Sequence, residues 1–257
     1  MQFDHFWVST APRTGSMWVY NVLRQVLVSA GQTVLPEIVP QSDDEMLGIY
    51  NAARRSGYKP RVSYAYKTHE ALTEQFVGSK IITTVRDPRE MVVSYMRFMN
   101  AGFDQALGNA KLQLIFTDRY EQFRQTPVLK LRYEHIDERP KSVIRKIVEF
   151  SNISLDEGTI SKIATRLDRR SVRDLIKSSD DRLREKIDSK QVIHPNEIVG
   201  DLLGAHRAFD AKTGFQTGHV SNMTKDDYRN FLTKEQVLVV NDTFGEWLDQ
   251  HRYSREF

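Results

Sequence analysis

An α/β fold, a central parallel β-sheet flanked by helices, is what this 257-residue sequence predicts. Three observations lead there. Short β-rich runs alternate with stretches of helical periodicity along most of the chain. Residues 80–85, Lys-Ile-Ile-Thr-Thr-Val, form a largely β-branched run of the kind buried on both faces of a parallel sheet. The first β-rich run also passes through a tight Pro/Gly loop straight into a helical pattern.

Taken in order, residues 3–10 read as the first strand, and Pro12-Arg13-Thr14-Gly15-Ser16 as the loop behind it. From Ser16, the residues Trp18, Val19, Val22, Leu23, Val26 and Leu27 recur at helical spacing up to Gly31, which stands where a helix C′ glycine belongs. A polar stretch around residues 41–45 leads into a short helix ending near Arg55. Residues 62–67 alternate as a strand that ends at Thr68-His69, and residues 80–85 end at Arg86-Asp87-Pro88. Pro88 suits a first helical turn, and Met91, Val92, Tyr95, Met96 and Met99 give that helix an apolar face up to Gly102. One further helical stretch covers residues 104–124. Residues 128–133 are a strand, and after Pro140 an amphipathic helix carries Val143, Ile144, Ile147, Val148 and Phe150. Residues 178–222 are polar, glycine-bearing and weakly periodic, and read as a mobile cap. A helix over residues 233–251, with Val237, Val240, Phe244, Trp247 and Leu248 as its apolar face, closes the chain. No repeat or linker divides the sequence, so a single domain over residues 1–257 is expected.

Composition narrows the function classes. Apolar residues make up 40% and charged residues 28%, the profile of a folded globular protein and not of a disordered one. No apolar run approaches the roughly 20 residues needed to span a bilayer. The opening residues lack a basic start, an extended apolar stretch and a small-residue cleavage site, so no secretory leader is expected and a cytoplasmic setting is. The absence of cysteine removes disulfide scaffolds, thiol nucleophiles and thiolate metal sites. With 37 Lys plus Arg against 34 Asp plus Glu, the charge of +3 favours an anionic ligand but is too small for a nucleic-acid binder. The basic stretch at residues 166–173 is broken by Asp168 and reads as a solvated helix face.

Open sheets of this kind bind ligands at the carboxyl ends of their strands. The loop at residues 12–16, His69, Arg86 and Tyr133 all fall at such ends. A short loop entering a helix offers backbone N–H groups and the positive end of the helix dipole, which together make an anion cradle. Arg13 adds a cation there, and Thr14 and Ser16 add hydroxyls. A plain βα turn with an N-capping serine describes the same residues equally well. A Walker A loop does not, because Gly15 is followed by no lysine, so a nucleoside triphosphate with magnesium is disfavoured.

Pro12-Arg13-Thr14-Gly15-Ser16-Met17-Trp18 resembles the Pro-Lys-Ser-Gly-Thr-Thr-Trp loop of sulfotransferases that use 3′-phosphoadenosine 5′-phosphosulfate (PAPS). Arg86-Asp87-Pro88 with Ser94-Tyr95 is similar to that family's second motif, Lys67-Thr68-His69 to its Lys-Thr-His segment, and Tyr133-Glu134 with the helix after Pro140 to its Tyr-Glu segment. The resemblance spans residues 8–150 and implies a P-loop-like sulfotransferase fold. It implies that residues 13–18 (Arg13, Thr14, Gly15, Ser16, Met17 and Trp18) hold the 5′-phosphosulfate, with Trp18 against the adenine. It further implies that Arg86 and Ser94 bind the 3′-phosphate, that Tyr133 lies near the adenine, and that His69 is catalytic. The desulfated product would be adenosine 3′,5′-bisphosphate.

The sequence departs from the family at two places. Arg13 replaces the loop lysine; it keeps the charge but gives up a proton too reluctantly to serve as an acid, so its role would be electrostatic. Near the C-terminus the family's Arg-Lys-Gly loop is not intact. One pairing puts Ser221 and Asn222 at the 3′-phosphate, and another uses Lys212-Thr213-Gly214.

Sulfuryl transfer builds charge on the leaving oxygen while the acceptor, a hydroxyl or an amine, loses a proton. Arg13 and Lys67 answer the first need. His69, with an ordinary imidazole pKa near 6.5, answers the second as general base. Alone, His69 would read as a structural strand-end histidine; Lys67 beside it and the phosphate motifs on either side make the catalytic reading the better one. Among the other histidines His219, in the cap, is the next candidate. The expected partner is a small-molecule or glycan acceptor, with no nucleic acid and no metal. Two other readings stand beside this one: a noncatalytic anion- or glycan-binding protein, and a P-loop-type phosphotransferase.

Overall fold

Five parallel strands form the central sheet in the computed structural model, in the order β2-β3-β1-β4-β5. The structure describes residues 5–56, 61–73, 78–200, 206–220 and 226–255. Along the chain, β1 (His5–Ser9) leads through the Pro/Gly loop to α1 (Ser16–Ser29), β2 (Thr33–Leu35), α2 (Asp43–Ser56) and β3 (Val62–Thr68). After β4 (Ser79–Val85) come α3 (Pro88–Met99), α4 (Phe103–Ala110), α5 (Leu112–Glu121), β5 (Val128–Arg132), α6 (Glu134–Glu138), α7 (Pro140–Phe150), α8 (Glu157–Arg166) and α9 (Arg169–Asp188). A small hairpin, β6 (Ile198–Gly200) with β7 (His206–Ala208), precedes α10 (Lys234–Thr243) and α11 (Gly245–Gln250).

The β-branched run lies where its sequence requires: all seven residues of β4 are buried, between β1 on one side and β5 on the other. α1 packs against β3, α7 and α8, with Val19, Val22, Leu23, Val26 and Leu27 fully buried. It stops at Gly31 as expected: the Gly31 N–H donates to Val28 O at 2.9 Å and the Gln32 N–H to Leu27 O at 3.2 Å, the paired bonds of a Schellman ending.

Register decides where the site can be. Ser9 lies opposite Thr68 and Val85 opposite Arg132, so the strands beside β1 and β4 end level with them. The residues that follow, at positions 10, 69, 86 and 133, therefore share one rim of the sheet.

Several elements differ from their sequence reading. β2 was not expected. The stretch at residues 104–124 is two helices that meet at Lys111, and the C-terminal helix breaks at Phe244 and Gly245, each turn carrying its own backbone caps. Residues 178–188 are the second half of α9, so irregular structure begins only after Asp188. Beyond it lie a short 3-10 helix at Pro195–Glu197, the hairpin, and a turn over residues 209–216 closed by the Phe209–Gln216 bridge.

Candidate active site

The loop after β1 is built around two left-handed residues. Arg13 has φ 68° and Gly15 φ 88°, which turns successive N–H groups toward a common point and makes a concave nest. Gly15 could be nothing larger, since a Cβ there would lie 2.8 Å from Tyr133 Cδ2 and 3.0 Å from Ile136 Cδ1. Gly15 is also the N-cap of α1 and supplies no capping side chain, and the first turn holds no acidic residue. The reading of this loop as a turn capped by Ser16 therefore does not describe it. The first N–H groups of α1 are left for a ligand, and Gly15, Ser16, Met17 and Trp18 line the cavity in front of them.

Thr14 is fully buried, donating its hydroxyl to Ala11 O at 2.7 Å and accepting from Thr84 Oγ1 at 2.6 Å, so only its backbone can serve a ligand. Trp18 donates its indole N–H to Leu167 O at 2.9 Å and shows the cavity the rest of its ring.

Arg86 is held from several sides. Gln113 on α5, wholly buried, accepts the Arg86 N–H at 2.7 Å and donates to its carbonyl at 2.8 Å. The guanidinium lies 4.0 Å over the Tyr133 ring, donates to Arg13 O at 2.9 Å, and pairs with Glu90 at 3.5 Å. Its Nε is buried without a hydrogen-bond partner among the described residues. Ser94, one helical face along α3, accepts from Arg13 Nε at 3.0 Å. Burial and the nearby Arg86 lower the Arg13 pKa to about 10, which leaves it charged at neutral pH. Burial pushes the Glu90 carboxyl up to about 7, with Arg86 pulling the other way.

At the end of β3, Lys67 and His69 face the same cavity. Thr10 O lies 2.9 Å from His69 Nδ1, and a carbonyl can only accept, so the ring proton sits on Nδ1 and Nε2 keeps its lone pair. Burial, then the charge of Lys67, lowers the His69 pKa to about 3. The ring is neutral at any ordinary pH, and the unshifted value near 6.5 expected for a free imidazole does not hold. Burial likewise lowers Lys67, with Asp43 opposing it.

The opposite wall comes from the segment after α9. His219 stacks on Phe98 with centroids 5.7 Å apart, while Arg13 and Arg207 lie 4.1 and 4.4 Å from the Phe98 ring centre. The Gln216 N–H donates to His219 Nδ1 at 3.2 Å, which leaves the ring proton on Nε2; the Gln216 side-chain amide, 3.1 Å from Nε2, accepts that proton when its oxygen, otherwise without a partner among the described residues, is turned to the ring. In this tautomer His219 has no free lone pair, so of the two histidines His69 is the one able to accept a proton.

The structure thus gathers Arg13, Gly15, Ser16, Met17, Trp18, Lys67, His69, Arg86, Ser94 and Tyr133 around one cavity of about 1320 Å³. Ser221 and Asn222 lie outside the described residues. The alternative segment, Lys212-Thr213-Gly214, docks on α1, where Asn21 donates to Thr213 O at 2.8 Å and Arg24 to Lys212 O; of the three, only Gly214 lines the cavity. Arg169, read as part of a solvated helix face, instead pairs with Asp137 and lines the cavity as well. Gln113, Glu90 and Asp43 escaped the sequence reading. The one signal for Gln113 was an amide set among Leu112, Leu114 and Phe116. Among the described residues no group of His, Asp and Glu could hold a metal ion, and no helix is long and apolar enough to cross a membrane.

A model of the sulfotransferase domain family matches residues 3–201. The chain belongs to that family. Rat sulfotransferase 1A1 (Rattus norvegicus) is 29% identical over 188 residues, 62% of this chain and 64% of the relative. Mouse sulfotransferase 1B1 (Mus musculus) is 25% identical over 186 residues, 61% of each chain. This sulfotransferase-family chain therefore spans less than two thirds of the length of these curated relatives. Two solved structures share its fold at TM-score 0.57: retinol dehydratase in complex with androsterone and the inactive cofactor PAP, at 13% identity, covering 96% of this chain and 81% of that one, and a mouse sulfotransferase complexed with PAP, at 16% identity, covering 96% and 84%.

Proposed function

We propose that this protein moves a sulfuryl group from PAPS to the hydroxyl of a small molecule with an apolar body, with His69 as the general base. The observation that carries the reading is the rim itself: an anion nest, the three cations Arg13, Lys67 and Arg86, and one histidine with its Nε2 lone pair free face a single cavity. The residues fit the nucleotide. The nest and the α1 N-terminus suit the 5′ end, and the buried Arg86 Nε, without a partner among the described residues, suits a 3′-phosphate, as does the Ser94 hydroxyl held by Arg13. That two proteins of this fold were solved with PAP supports the same choice.

When bound, PAPS supplies the sulfuryl group and a phosphate leaving group. Arg13 and Lys67 hold positive charge at the loop, where a dry setting makes each worth more than it would be in water. His69 Nε2 takes the proton of the acceptor hydroxyl, while Thr10 O keeps the ring in the tautomer that permits it. The cavity exceeds the roughly 300–1,000 Å³ of a single small-ligand pocket, so there is space for two molecules. α2 contributes Met46 one turn after Asp43, and Val39 and Phe98, with Phe209 and Phe215 from the opposite wall, line the cavity with further apolar surface. Such a surface offers few partners to the many hydroxyls of a glycan, and favours a hydroxyl on an apolar frame.

The test is transfer of labelled sulfuryl from PAPS to a panel of apolar alcohols, phenols and simple sugars, run with EDTA present. Turnover of an apolar member is expected, and sugars should be poor. Tight binding of adenosine 3′,5′-bisphosphate with no transfer to any member would turn the reading into that of a nucleotide-binding protein without catalysis.

A further inference from the structure

We infer that Asp43 is a positioning residue of this site, fixing His69 by its backbone and facing Lys67 with a compensating charge; the inference rests on the sulfuryl-transfer reading. Asp43 is the first residue of α2, and its Oδ2 accepts the His69 backbone N–H at 2.7 Å. His69 is thus held at two points from two elements, the ring by Thr10 O and the backbone by Asp43. Either bond alone would leave the imidazole a hinge.

Three acids, Asp43, Asp44 and Glu45, occupy the first turn of α2, and all suit the helix dipole. Asp43 differs from the other two because it lines the cavity and its hydrogen bond leaves the helix for the end of β3. Glu45 does ordinary capping work, accepting the Gln41 N–H at 3.1 Å while its own N–H donates to Ser42 Oγ at 3.2 Å. That turn is in turn tied to the opposite wall, since the Gln41 side-chain amide donates to Pro195 O at 2.8 Å and Ile198 O at 3.1 Å. The position of Asp43 is therefore set by both sides of the cavity.

Charge adds a second reason. Lys67, half-buried against the cavity, has His69 at its own strand end and His219 on the opposite wall as titratable neighbours, both of them also facing Arg13, and Asp43 is the carboxylate that favours its protonated form. Without that charge a buried ammonium loses its proton more readily.

The experiment compares wild type, Asp43→Ala and Asp43→Asn by three readouts: calorimetric binding of adenosine 3′,5′-bisphosphate, turnover of PAPS with 2-naphthol across pH, and hydrogen exchange of the His69 amide. Asp43→Ala should lose roughly 10- to 100-fold in kcat with nucleotide affinity kept, the mark of a misaimed group. Its His69 amide should exchange fast. Asp43→Asn keeps an accepting oxygen, so kcat at neutral pH should recover and exchange stay slow, while the alkaline limb of kcat/KM moves to lower pH. Wild-type kcat and slow exchange in Asp43→Ala would overturn the inference. So would loss of nucleotide binding in both variants, which would mean a fold defect. If wild type itself transfers nothing, the reaction reading fails, and fast exchange confined to Asp43→Ala still supports the backbone hold while slow exchange there refutes it.

Discussion

The two walls of the cavity are made of different material. The strand-end wall hangs from the ladders of β1, β3, β4 and β5, with Thr14, Arg86 and Ser94 each at most 5% exposed and Arg13, Lys67 and His69 half-buried toward the cavity. The opposite wall consists of two three-residue strands, a turn and side-chain contacts to Phe98, Gln41 and α1. A nucleotide of fixed shape suits the first wall. The second is closed by local backbone bonds, such as Asp210 N–H to Phe215 O at 2.9 Å and Thr217 N–H to Ala208 O at 3.1 Å, and not by the ladders of the sheet, so it can vary with the acceptor without disturbing them.

If the division is real, the chemistry should break from one side only. Replacing His69 with alanine should lower kcat by roughly 10²–10⁴ with nucleotide binding intact, whereas His219→Ala should mainly raise the acceptor KM. Steady-state kinetics on one acceptor decides between them, and the reverse pattern would move the base to the opposite wall. The kcat/KM of wild type should also show no acid limb near the ordinary imidazole range, because the free-enzyme pKa of His69 is about 3.

Nucleotide selectivity should sit wholly on the strand-end wall. Arg86→Ala should erase an at least tenfold calorimetric preference for adenosine 3′,5′-bisphosphate over AMP, since a hydrogen bond to a charged group is worth about 1.5–3 kcal/mol. A preference that survived would mean that other groups hold the 3′-phosphate.

Two glycines give a matched pair. Both Gly15 and Gly214 have positive φ, 88° and 71°, and an added Cβ would crowd a neighbour in each case. At Gly15 the neighbour is the Tyr133 ring, pinned under Arg86; at Gly214 it is the flexible tip of Met17 at 2.5 Å, with Val39 behind it at 2.8 Å. Gly15→Ala should therefore weaken nucleotide binding strongly and Gly214→Ala hardly at all, although both lower Tm. Equal losses of affinity would erase the distinction between the walls.

The smallest expected effect is a pH slope. The Glu90 carboxyl has its folded pKa raised from 4.5 to about 7, so its contribution to stability is complete below pH 4.5 and is lost as pH rises through 7. Denaturant titrations of Glu90→Gln should show that fall flattened. An unchanged slope would assign it to other groups.

Much of the strand-end wall was legible in the sequence because its elements carry periodic or punctuated signals: the β-branched β4, the Pro/Gly loop, Pro88 at a helix start. β2 was not, since Thr33-Val34-Leu35 is too short to show a period. The breaks at Lys111 and at Phe244 were missed because apolar spacing runs through them and the backbone alone changes course. Gln113 and Asp43 act on backbone atoms far along the chain, Gln113 by two bonds to Arg86 and Asp43 by one to His69, and no local spacing records such bonds. The opposite wall lacks any pattern because its strands are three residues each and its turn is closed by irregular backbone bonds, neither long enough to show a period.

Position 13 carries two demands that pull against each other. Its backbone sits where glycine is at ease, and a side chain there costs on the order of 1–3 kcal/mol of strain. Its cation is nevertheless needed at the mouth of the nest, so Arg13→Gly should yield a protein that melts higher and works worse. In evolutionary terms, selection for durability and selection for turnover meet at one codon. A lineage released from the second would drift there first, so a glycine at this position in any descendant would be an early record that the activity had been given up.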